Sequence, residues 1–277
     1  MVMKNLHRKP DNPQEKIIRE LLELLNPKEI FKIHKKTREL IHLGALGVAL
    51  GYFLPQLDRL AFELSKKRLA KFMNNEKSLE DILHTTTNYH GYLFYSNILA
   101  NQIPSEIKSL AEEVKQYAPH TVVEIGTSTG GTLYIWSRYL NCRRIISINL
   151  PTDFFYPEQK IKFFKLFNTN VEYHFLRNDS HNKETVNMLV QILKEDKINF
   201  LFIDGDHSYE GVKQDFEMYK QFVSGRGIVA FHDILCPPNN PSIEVHKFWN
   251  EVKHKYRSKE IVASYDQKWG GIGVLYL

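Results

Sequence analysis

The sequence predicts an α/β protein built on a mostly parallel, doubly wound β-sheet. From about residue 118 onward, short apolar strands alternate with amphipathic helices, which is the pattern of a parallel sheet with helices on both faces. A glycine-rich turn follows the first of these strands, where open sheets of this kind bind their ligands. Two strands in succession end the sequence, so we expect the last strand to be antiparallel.

The strands and helices follow from the apolar pattern. Seven apolar segments predict strands, and three stripes at helical spacing, within residues 186–193, 212–223 and 245–252, predict helices between them. The predicted strands span residues 121–125, 144–150, 171–176, 200–204, 227–231, 261–265 and 272–277.

Residues 1–87 are predicted to form a helical extension that precedes a domain over residues 88–277. Asn12 and Asn26 are each followed by a proline and, three residues on, by a glutamate, which is the signature of a helix start. A further helical stripe contains Leu57 and Leu64. We expect this extension to cover the active site, to form a homo-oligomer interface, or to dock on a surface.

Composition and charge exclude several classes of protein. Of the 277 residues, 43% are hydrophobic and 25% charged, which excludes disordered and collagen-like chains. Two cysteines exclude a disulfide framework. The two cysteines, together with the lack of an apolar segment among the first residues, predict a cytoplasmic protein. The net charge of +5 is too mild for a nucleic-acid partner.

The charge distribution is compatible with contact with a membrane surface. Residues 1–110 hold 17 basic and 12 acidic residues, a small excess that suits lipid headgroups as well as water. The most apolar stretch, residues 41–54, is shorter than the ~20 residues that span a bilayer, so it predicts a buried or interfacial helix.

The turn after the first predicted strand is the first candidate for ligand binding. In the run EIGTSTGG, Gly126 and Gly130 permit close approach of the backbone to a ligand at a helix N-terminus. The run lacks GxGxxG, which argues against a nicotinamide cofactor, and it lacks the lysine-serine pair of a P-loop.

Two polar positions follow the next strands. Asn149 ends the second strand, where a carboxylate that binds a ribose is expected; an amide can bind a hydroxyl there without charge assistance. The run Asn178-Asp179-Ser180-His181 follows the third strand. It can meet an adenine amino group, or it is an ordinary solvated turn.

Carboxylate and imidazole side chains follow the fourth and fifth strands. Asp204 and His207 come after the fourth, and the pair His232-Asp233 comes after the fifth. Neighbouring strand ends bring Asp204, His232 and Asp233 together as oxygen and imidazole ligands for a divalent cation. The alternative is that the carboxylates only cap helices and loops. Gln102, with Tyr89, His90 and Tyr92, is a candidate for the lining of an acceptor pocket.

These segments resemble a known family. VVEIGTSTGGTLYIW resembles the first motif of class I S-adenosylmethionine (SAM)-dependent methyltransferases. LFIDGDHSYEGVKQDFEMY, GRGIVAFHDI, VHKFWNEV and WGGIGVLYL resemble the cephalosporin hydroxylase/rhamnosyl O-methyltransferase-like group. The resemblance covers about residues 88–277 and implies a Rossmann-like class I methyltransferase sheet.

The resemblance also implies roles for individual residues. Asn149 would face the ribose, Asp179 and Ser180 the adenine, and Asp204 the methionine part and the reaction centre. In metal-dependent members, the positions of Asp204, His232 and Asp233 hold Mg²⁺; the histidine departs from the usual acidic residue and suits other divalent cations. The SAM-binding loop would consist of Glu124, Gly126, Thr127, Ser128 and Gly130, and valine at either glycine is expected to abolish SAM binding.

We therefore expect a SAM-dependent O-methyltransferase that acts on a hydroxyl of a small-molecule, sugar or glycolipid acceptor, in lipid or natural-product biosynthesis. Asp204, His207 and His232 are the candidate catalytic residues; without a metal, either histidine can serve as general base. The alternatives are a catalytically silent scaffold or regulator with this fold, a nicotinamide-dependent oxidoreductase, and a glycolipid-modifying enzyme at a membrane surface.

Overall fold

The computed structural model describes residues 55–264 and 266–277. The helix starts expected at Asn12 and Asn26 and the apolar stretch at residues 41–54 lie outside the described residues. Within those described, no helix is long and apolar enough to cross a membrane.

The chain divides into two compact units. The described part of the smaller unit comprises residues 55–69 and 90–96, where Tyr95 donates its hydroxyl hydrogen to Oδ1 of Asp58 at 2.8 Å. The larger unit comprises residues 70–89 and 97–277. It includes a helix over Leu79–Asn88, which begins within the range expected for the extension and ends one residue beyond it. An extension over residues 1–87 stays a prediction.

Eight α-helices and seven strands are found in the described residues. The helices are α1 (Pro55–Met73), α2 (Leu79–Asn88), α3 (Pro104–Gln116), α4 (Gly131–Tyr139), α5 (Glu158–Phe164), α6 (Lys183–Leu193), α7 (Tyr209–Tyr219) and α8 (Val245–Val252). The strands are β1 (Thr121–Ile125), β2 (Arg144–Asn149), β3 (Glu172–Arg177), β4 (Ile198–Ile203), β5 (Val223–His232), β6 (Arg257–Ile261) and β7 (Ile272–Tyr276).

The strands form one sheet in the order β3-β2-β1-β4-β5-β7-β6. The strands β1 to β5 are parallel to their neighbours, and β7 is antiparallel to both β5 and β6. The predicted mostly parallel sheet with an antiparallel last strand is confirmed. The chain winds in opposite directions from β1 and from β4, so the ligand-binding crevice is expected between these two strands.

Helices cover both faces of the sheet, as predicted. One face packs Leu201 and Phe231 against α6, α7 and α8 in a continuous buried cluster. On the other face, the indole of Trp136 in α4 meets Phe200 and Phe202 edge-on, with ring centroids 5.2 and 5.6 Å apart.

Two predicted strand positions are wrong in ways that have a physical cause. The sixth strand ends at Ile261, where the prediction began it. Its other residues are mostly polar and exposed, as at a protected sheet edge, so the apolar pattern did not detect them. The fifth strand extends to His232, which places this histidine in the sheet and not in the loop beyond it.

Candidate functional site

A cavity of about 650 Å³ opens at the carboxyl ends of the parallel strands. It is lined by residues that follow β1, β2, β3, β4 and β5, and it includes the predicted switch between β1 and β4. Of the predicted site residues, those that line the cavity are Gly126, Ser128, Asn149, Asp179, Ser180, Asp204, His207, His232 and Asp233.

The glycines of the first turn lie in close contact with other parts of the protein. Gly126 has φ +91°, and a Cβ built on it would lie 1.9 Å from the backbone oxygen of Asp204. Gly130 has φ +89°, and its Cβ would lie 2.4 Å from the ring of Phe164. A valine at either position would therefore clash with protein atoms, and the expected loss of SAM binding stays a prediction.

Glu124 supports the turn from the interior and does not line the cavity. Its carboxylate accepts hydrogen bonds from Trp136 Nε1 at 2.9 Å and from Thr127 Oγ1 at 2.8 Å. The Thr127 hydroxyl also pairs with that of Ser147 at 2.7 Å. Complete burial raises the pKa of Glu124 to about 7. Glu124 and Thr127 thus hold the turn, while Ser128 faces the cavity.

Asn149 lies on the cavity wall, but its amide bonds to the protein. Oδ1 accepts from the backbone N–H of Ser128 at 3.1 Å, and Nδ2 donates to Oδ2 of Asp153 at 3.0 Å. Asp153 also lines the cavity. The sequence reasoning missed Asp153; the signal that could have found it was an acidic residue four positions beyond the expected one.

The run after β3 forms the wall beyond Asn149. All four residues of Asn178-Asp179-Ser180-His181 line the cavity. Nε2 of His181 lies 3.2 Å from Oδ1 of the buried Asp215. The adjacent Asp215 carboxylate raises the pKa of His181 to about 9.

Asp204, His232 and Asp233 converge at the opposite end of the cavity. Nδ1 of His232 lies 3.1 Å from Oδ1 of Asp204 and 3.5 Å from Oδ2 of Asp233. One ligand atom from each residue lies within 4.8 Å of the others. Asp233 has φ +62°, an unusual conformation for a residue other than glycine. It lets consecutive side chains face one site, although in an extended strand they would diverge.

Two histidines in this cluster differ in burial. The side chain of His207 is 39% exposed and its Nδ1 lies 3.1 Å from Oδ2 of Asp233, whereas His232 is 6% exposed. The hydrogen bond to Asp233 raises the pKa of His207. Burial lowers the pKa of His232, but the charge and hydrogen bond of Asp204 outweigh it and raise the pKa to about 9. Nε2 of His232 is buried without a hydrogen-bond partner among the described atoms.

Gln102 joins the cluster from the segment before α3. Its Nε2 donates to Oδ2 of Asp204 at 2.6 Å, so it holds the carboxylate that ends β4. Tyr89 is 1% exposed and packs on Phe163, with ring centroids 5.8 Å apart, as a core residue does. His90 and Tyr92 belong to the smaller unit.

Trp269 forms part of the cavity wall and is 47% exposed. Its loop is held by Glu106, a fully buried residue of α3. Glu106 accepts hydrogen bonds from the backbone N–H groups of Ala263 at 3.0 Å and Gly271 at 2.9 Å, and from the Gln267 side chain at 2.6 Å. Neither Glu106 nor Trp269 was predicted as a site residue.

Two tryptophans and one cysteine have structural roles. The indoles of Trp136 and Trp249 are buried. Burial raises the pKa of the Cys142 thiol to about 12, which keeps it protonated and unreactive.

Residues 123–234 match the model of a family described as a methyltransferase domain. An uncharacterised protein of Acanthamoeba polyphaga mimivirus, R132, is 31% identical over 161 residues, which cover 55% of this chain and 71% of the viral protein.

Two solved structures are similar in fold at low identity. An O-methyltransferase from Bacillus cereus, in complex with SAH, has a TM-score of 0.49 and 16% identity, covering 73% of this chain and 93% of that one. The O-methyltransferase TomG from Streptomyces achromogenes, in complex with SAM, has a TM-score of 0.47 and 13% identity, covering 78% and 98%. The family match spans β1 to the end of β5, the part of the sheet whose strand ends form the cavity. Over residues 123–234, this chain therefore matches the family described as a methyltransferase domain.

Proposed function

We propose that this protein transfers a methyl group from SAM to a hydroxyl oxygen of a small-molecule or glycosylated acceptor. The observation that carries the proposal is one cavity with two different ends. The turn at Gly126 and the polar run after β3 lie along it, and a cluster of carboxylates and imidazoles lies at its other end. A cofactor and an acceptor hydroxyl can thus meet in the same space.

The cofactor is proposed to lie along the ends of β1, β2 and β3. Its adenine would lie near Asp179 and Ser180, and its methionine part near Gly126 and Asp204, because these residues line one continuous wall. The strand ends of a doubly wound sheet bind nucleotides in this manner.

Methyl transfer is an in-line displacement at the methyl carbon: the acceptor oxygen forms a bond to it, and the bond to the sulfonium sulfur breaks. The enzyme must align the two reactants and accept the hydroxyl proton. We propose His207 as the general base, because its imidazole is the more exposed of the two and Asp233 orients it. His232, held by Asp204, is the second candidate.

Asp204, His232 and Asp233 fit a divalent cation. The set offers two carboxylates and an imidazole within 4.8 Å of one another, and the buried Nε2 of His232 lacks a hydrogen-bond partner among the described atoms. A cation held there would supply Lewis acidity that lowers the pKa of the acceptor hydroxyl. Carboxylates favour Mg²⁺, whereas the imidazole favours manganese, iron or zinc.

Isothermal titration with S-adenosylhomocysteine (SAH) and with NAD⁺, in parallel, tests the cofactor. We expect SAH to bind in the micromolar range and NAD⁺ not to bind. Binding of NAD⁺ alone would instead support the oxidoreductase alternative.

Incubation with SAM and a panel of hydroxyl acceptors, followed by mass spectrometry, tests the transfer. We expect one acceptor class to gain a methyl group with equimolar release of SAH. The panel should include phenols, sugar nucleotides and glycolipids. If SAH binds tightly and no acceptor in a cell extract is methylated, the silent scaffold becomes the better reading.

Removal of divalent cations with a chelator tests whether turnover depends on one. If the protein uses one, EDTA should stop turnover and leave SAH binding nearly intact, and Asp233→Ala should do the same. Electron paramagnetic resonance of added Mn²⁺ gives a second readout that needs no acceptor. Asp196→Ala is a suitable control, because Asp196 pairs with Arg144 at the amino end of β2, away from the cavity. Full turnover after chelation would favour the histidine base alone.

Homo-oligomer formation, contact with a membrane surface and the lack of a nucleic-acid partner are also proposals. Light scattering after size exclusion tests the first, and co-sedimentation with anionic liposomes tests the second. Gel-shift assays with RNA and DNA test the third.

A further inference from the structure

Asp215 is a buried carboxylate that has no part in the proposed methyl transfer. It lies on α7 and is fully buried, and neither of its oxygens accepts a hydrogen bond from the described atoms. A buried charge of this kind is costly unless another group compensates it. Oδ1 of Asp215 lies 3.2 Å from Nε2 of His181, which belongs to the cavity wall. His181 can therefore supply the compensating charge.

His181 meets acidic groups from three segments of the chain. Besides Asp215 of α7, Asp179 of its own loop places Oδ1 3.8 Å from Nδ1 of His181, and Asp206 after β4 is close enough to interact with the charge. Nε2 of His181 also lies 3.1 Å from the backbone oxygen of Gly211, in the first turn of α7. Asp215 raises the pKa of His181 most, because its carboxylate is buried, whereas the side chain of Asp179 is 57% exposed. These surroundings favour the imidazolium form.

A second contact links α7 to the same wall. Tyr219 donates its hydroxyl hydrogen to the backbone oxygen of Ser180 at 2.8 Å. Because Tyr219 follows Asp215 by four positions, the two side chains lie on the same face of the helix. This face of α7 therefore holds two consecutive residues of the wall, Ser180 and His181. The helix begins directly after the loop that carries His207, so one helix supports both ends of the cavity.

We infer that Asp215 is a positioning residue for cofactor binding, which holds the imidazolium of His181 and thereby fixes the cavity wall after β3. The inference rests on the proposed use of SAM. Without Asp215, His181 loses its buried counter-charge; without His181, Asp215 is an isolated charge in the interior. Breaking one partner of a buried ion pair is costly, whereas removing both can be nearly neutral. The wall should therefore keep its shape with both charges or with neither.

A double-mutant cycle of Asp215→Asn and His181→Phe tests the pair, with calorimetry of SAH binding as the measurement. His181→Phe keeps a ring in the wall and removes both nitrogens. We expect each single change to weaken SAH binding by roughly 5- to 50-fold, the range of coupling between residues in contact. The double variant should bind SAH no more weakly than the weaker of the single variants. If the two factors multiply in the double variant, the residues act independently and the inference is overturned.

NMR titration of the His181 ring is a readout that needs no cofactor. In the wild type we expect a ring pKa of about 9, and in Asp215→Asn a pKa that falls toward the ordinary value of 6.5. At pH 8 the wild type then keeps the imidazolium and the variant has lost it. The difference in SAH affinity between the two proteins should therefore be larger at pH 8 than at pH 6. Asp179→Asn should lower the ring pKa less, because that carboxylate is more exposed.

Glu217→Gln is the matched control. It removes one carboxylate from the same helix, at an exposed side chain that pairs with Lys220. We expect it to keep both the wild-type affinity for SAH and the ring pKa of His181. Thermal denaturation without SAH shows whether each variant is folded. The wild-type titration needs no variant, and a ring pKa near 6.5 would by itself overturn the inference.

The outcomes separate this inference from the proposed function. If the wild type does not bind SAH, the proposed function fails and the inference fails with it. If the wild type binds SAH and folded Asp215→Asn binds it equally well at pH 8, the inference alone is overturned. That holds even where the ring pKa of His181 falls, because the ion pair then exists without positioning the wall.

Discussion

Gln102 and Asp204, which are 102 positions apart in the sequence, are joined by a hydrogen bond of 2.6 Å from the amide Nε2 to the carboxylate Oδ2. The other oxygen of Asp204 lies 3.1 Å from Nδ1 of His232. Asp204 is therefore held from two sides, and its orientation depends on a residue outside the sheet.

Gln102→Ala should release one side of Asp204. Removal of a hydrogen bond to a charged group costs about 1.5–3 kcal/mol, and we expect turnover to fall by roughly 10-fold or more. The ¹⁵N chemical shift of the His232 ring is a readout that needs no acceptor, and it should move because Asp204 reorients. Gln102→Glu is a stricter variant, since it places a second carboxylate against Asp204. An unchanged ring shift in both variants would contradict this role.

Glu124 should make the protein less stable as the pH rises. Its pKa is raised by burial from 4.5 to about 7, so the folded state keeps a proton that the unfolded state has lost between these values. The unfolded state then binds fewer protons, and the free energy of unfolding falls with rising pH across that window. The full effect is about 3 kcal/mol, at ~1.4 kcal/mol per pH unit.

Glu124→Gln should remove this pH dependence and keep the oxygen that accepts from Trp136. Urea denaturation at pH 5, 6, 7 and 8 measures it. We expect the variant to gain stability relative to the wild type between pH 5 and 7, and the difference to level off above pH 7. Parallel curves for the two proteins would show that Glu124 ionises as freely in the folded state as in the unfolded one.

Lys160 should make the protein more stable as the pH rises, the opposite of the effect of Glu124. Burial lowers its pKa from 10.5 to about 7, so between these values the unfolded state binds a proton that the folded state lacks. The free energy of unfolding therefore rises with pH through this window. Lys160→Met keeps the length of the side chain and removes the amine, so its stability should rise less than that of the wild type from pH 7.5 to 9.5. Urea denaturation over this range checks it, with the exposed Lys162→Met as the control.

The sequence predicted the sheet and much of the cavity because those signals are local. Apolar strands, a glycine turn and polar residues at strand ends can each be read from adjacent residues. Asp204, His232 and Asp233 were expected together because β4 and β5 were expected to be neighbours, and the register that pairs Ile203 with Phe231 confirms this.

What the sequence did not predict depends on contacts between distant segments. Gly126 is required by the backbone oxygen of Asp204, which no local pattern reveals. Glu106 looks like an ordinary charged residue near the start of a helix, yet it is fully buried and accepts hydrogen bonds from a loop more than 150 residues away. Asp153 differs: it lies four positions beyond Asn149 in the sequence, but only the structure shows that it accepts a hydrogen bond from Asn149 and lines the cavity.

Glu106 is expected to fix the loop that carries Trp269. Its carboxylate accepts from the backbone N–H groups of Ala263 and Gly271. In Glu106→Gln, the amide group faces these donors with donors of its own, so at least one bond is lost. We expect hydrogen exchange at the Ala263 and Gly271 amides to accelerate by roughly 10- to 100-fold, the equivalent of one hydrogen bond to a charged group.

The same change should affect the acceptor more than the cofactor. Trp269 lines the cavity, and the backbone of the next residue, Gly270, bonds to Asp233. A loosened loop should therefore raise KM for the acceptor several-fold and leave SAH affinity nearly unchanged. Glu113→Gln is the matched control, because Glu113 also lies on α3 and binds Lys259 of β6 at 2.7 Å without contact to the loop. If exchange at both amides is unaltered in Glu106→Gln and faster in Glu113→Gln, then Glu113 and not Glu106 holds the loop, and the prediction is wrong. Equal losses of acceptor and SAH affinity would instead mean that Glu106 supports the whole cavity, because a change confined to the Trp269 loop has no path to the cofactor wall at β2 and β3.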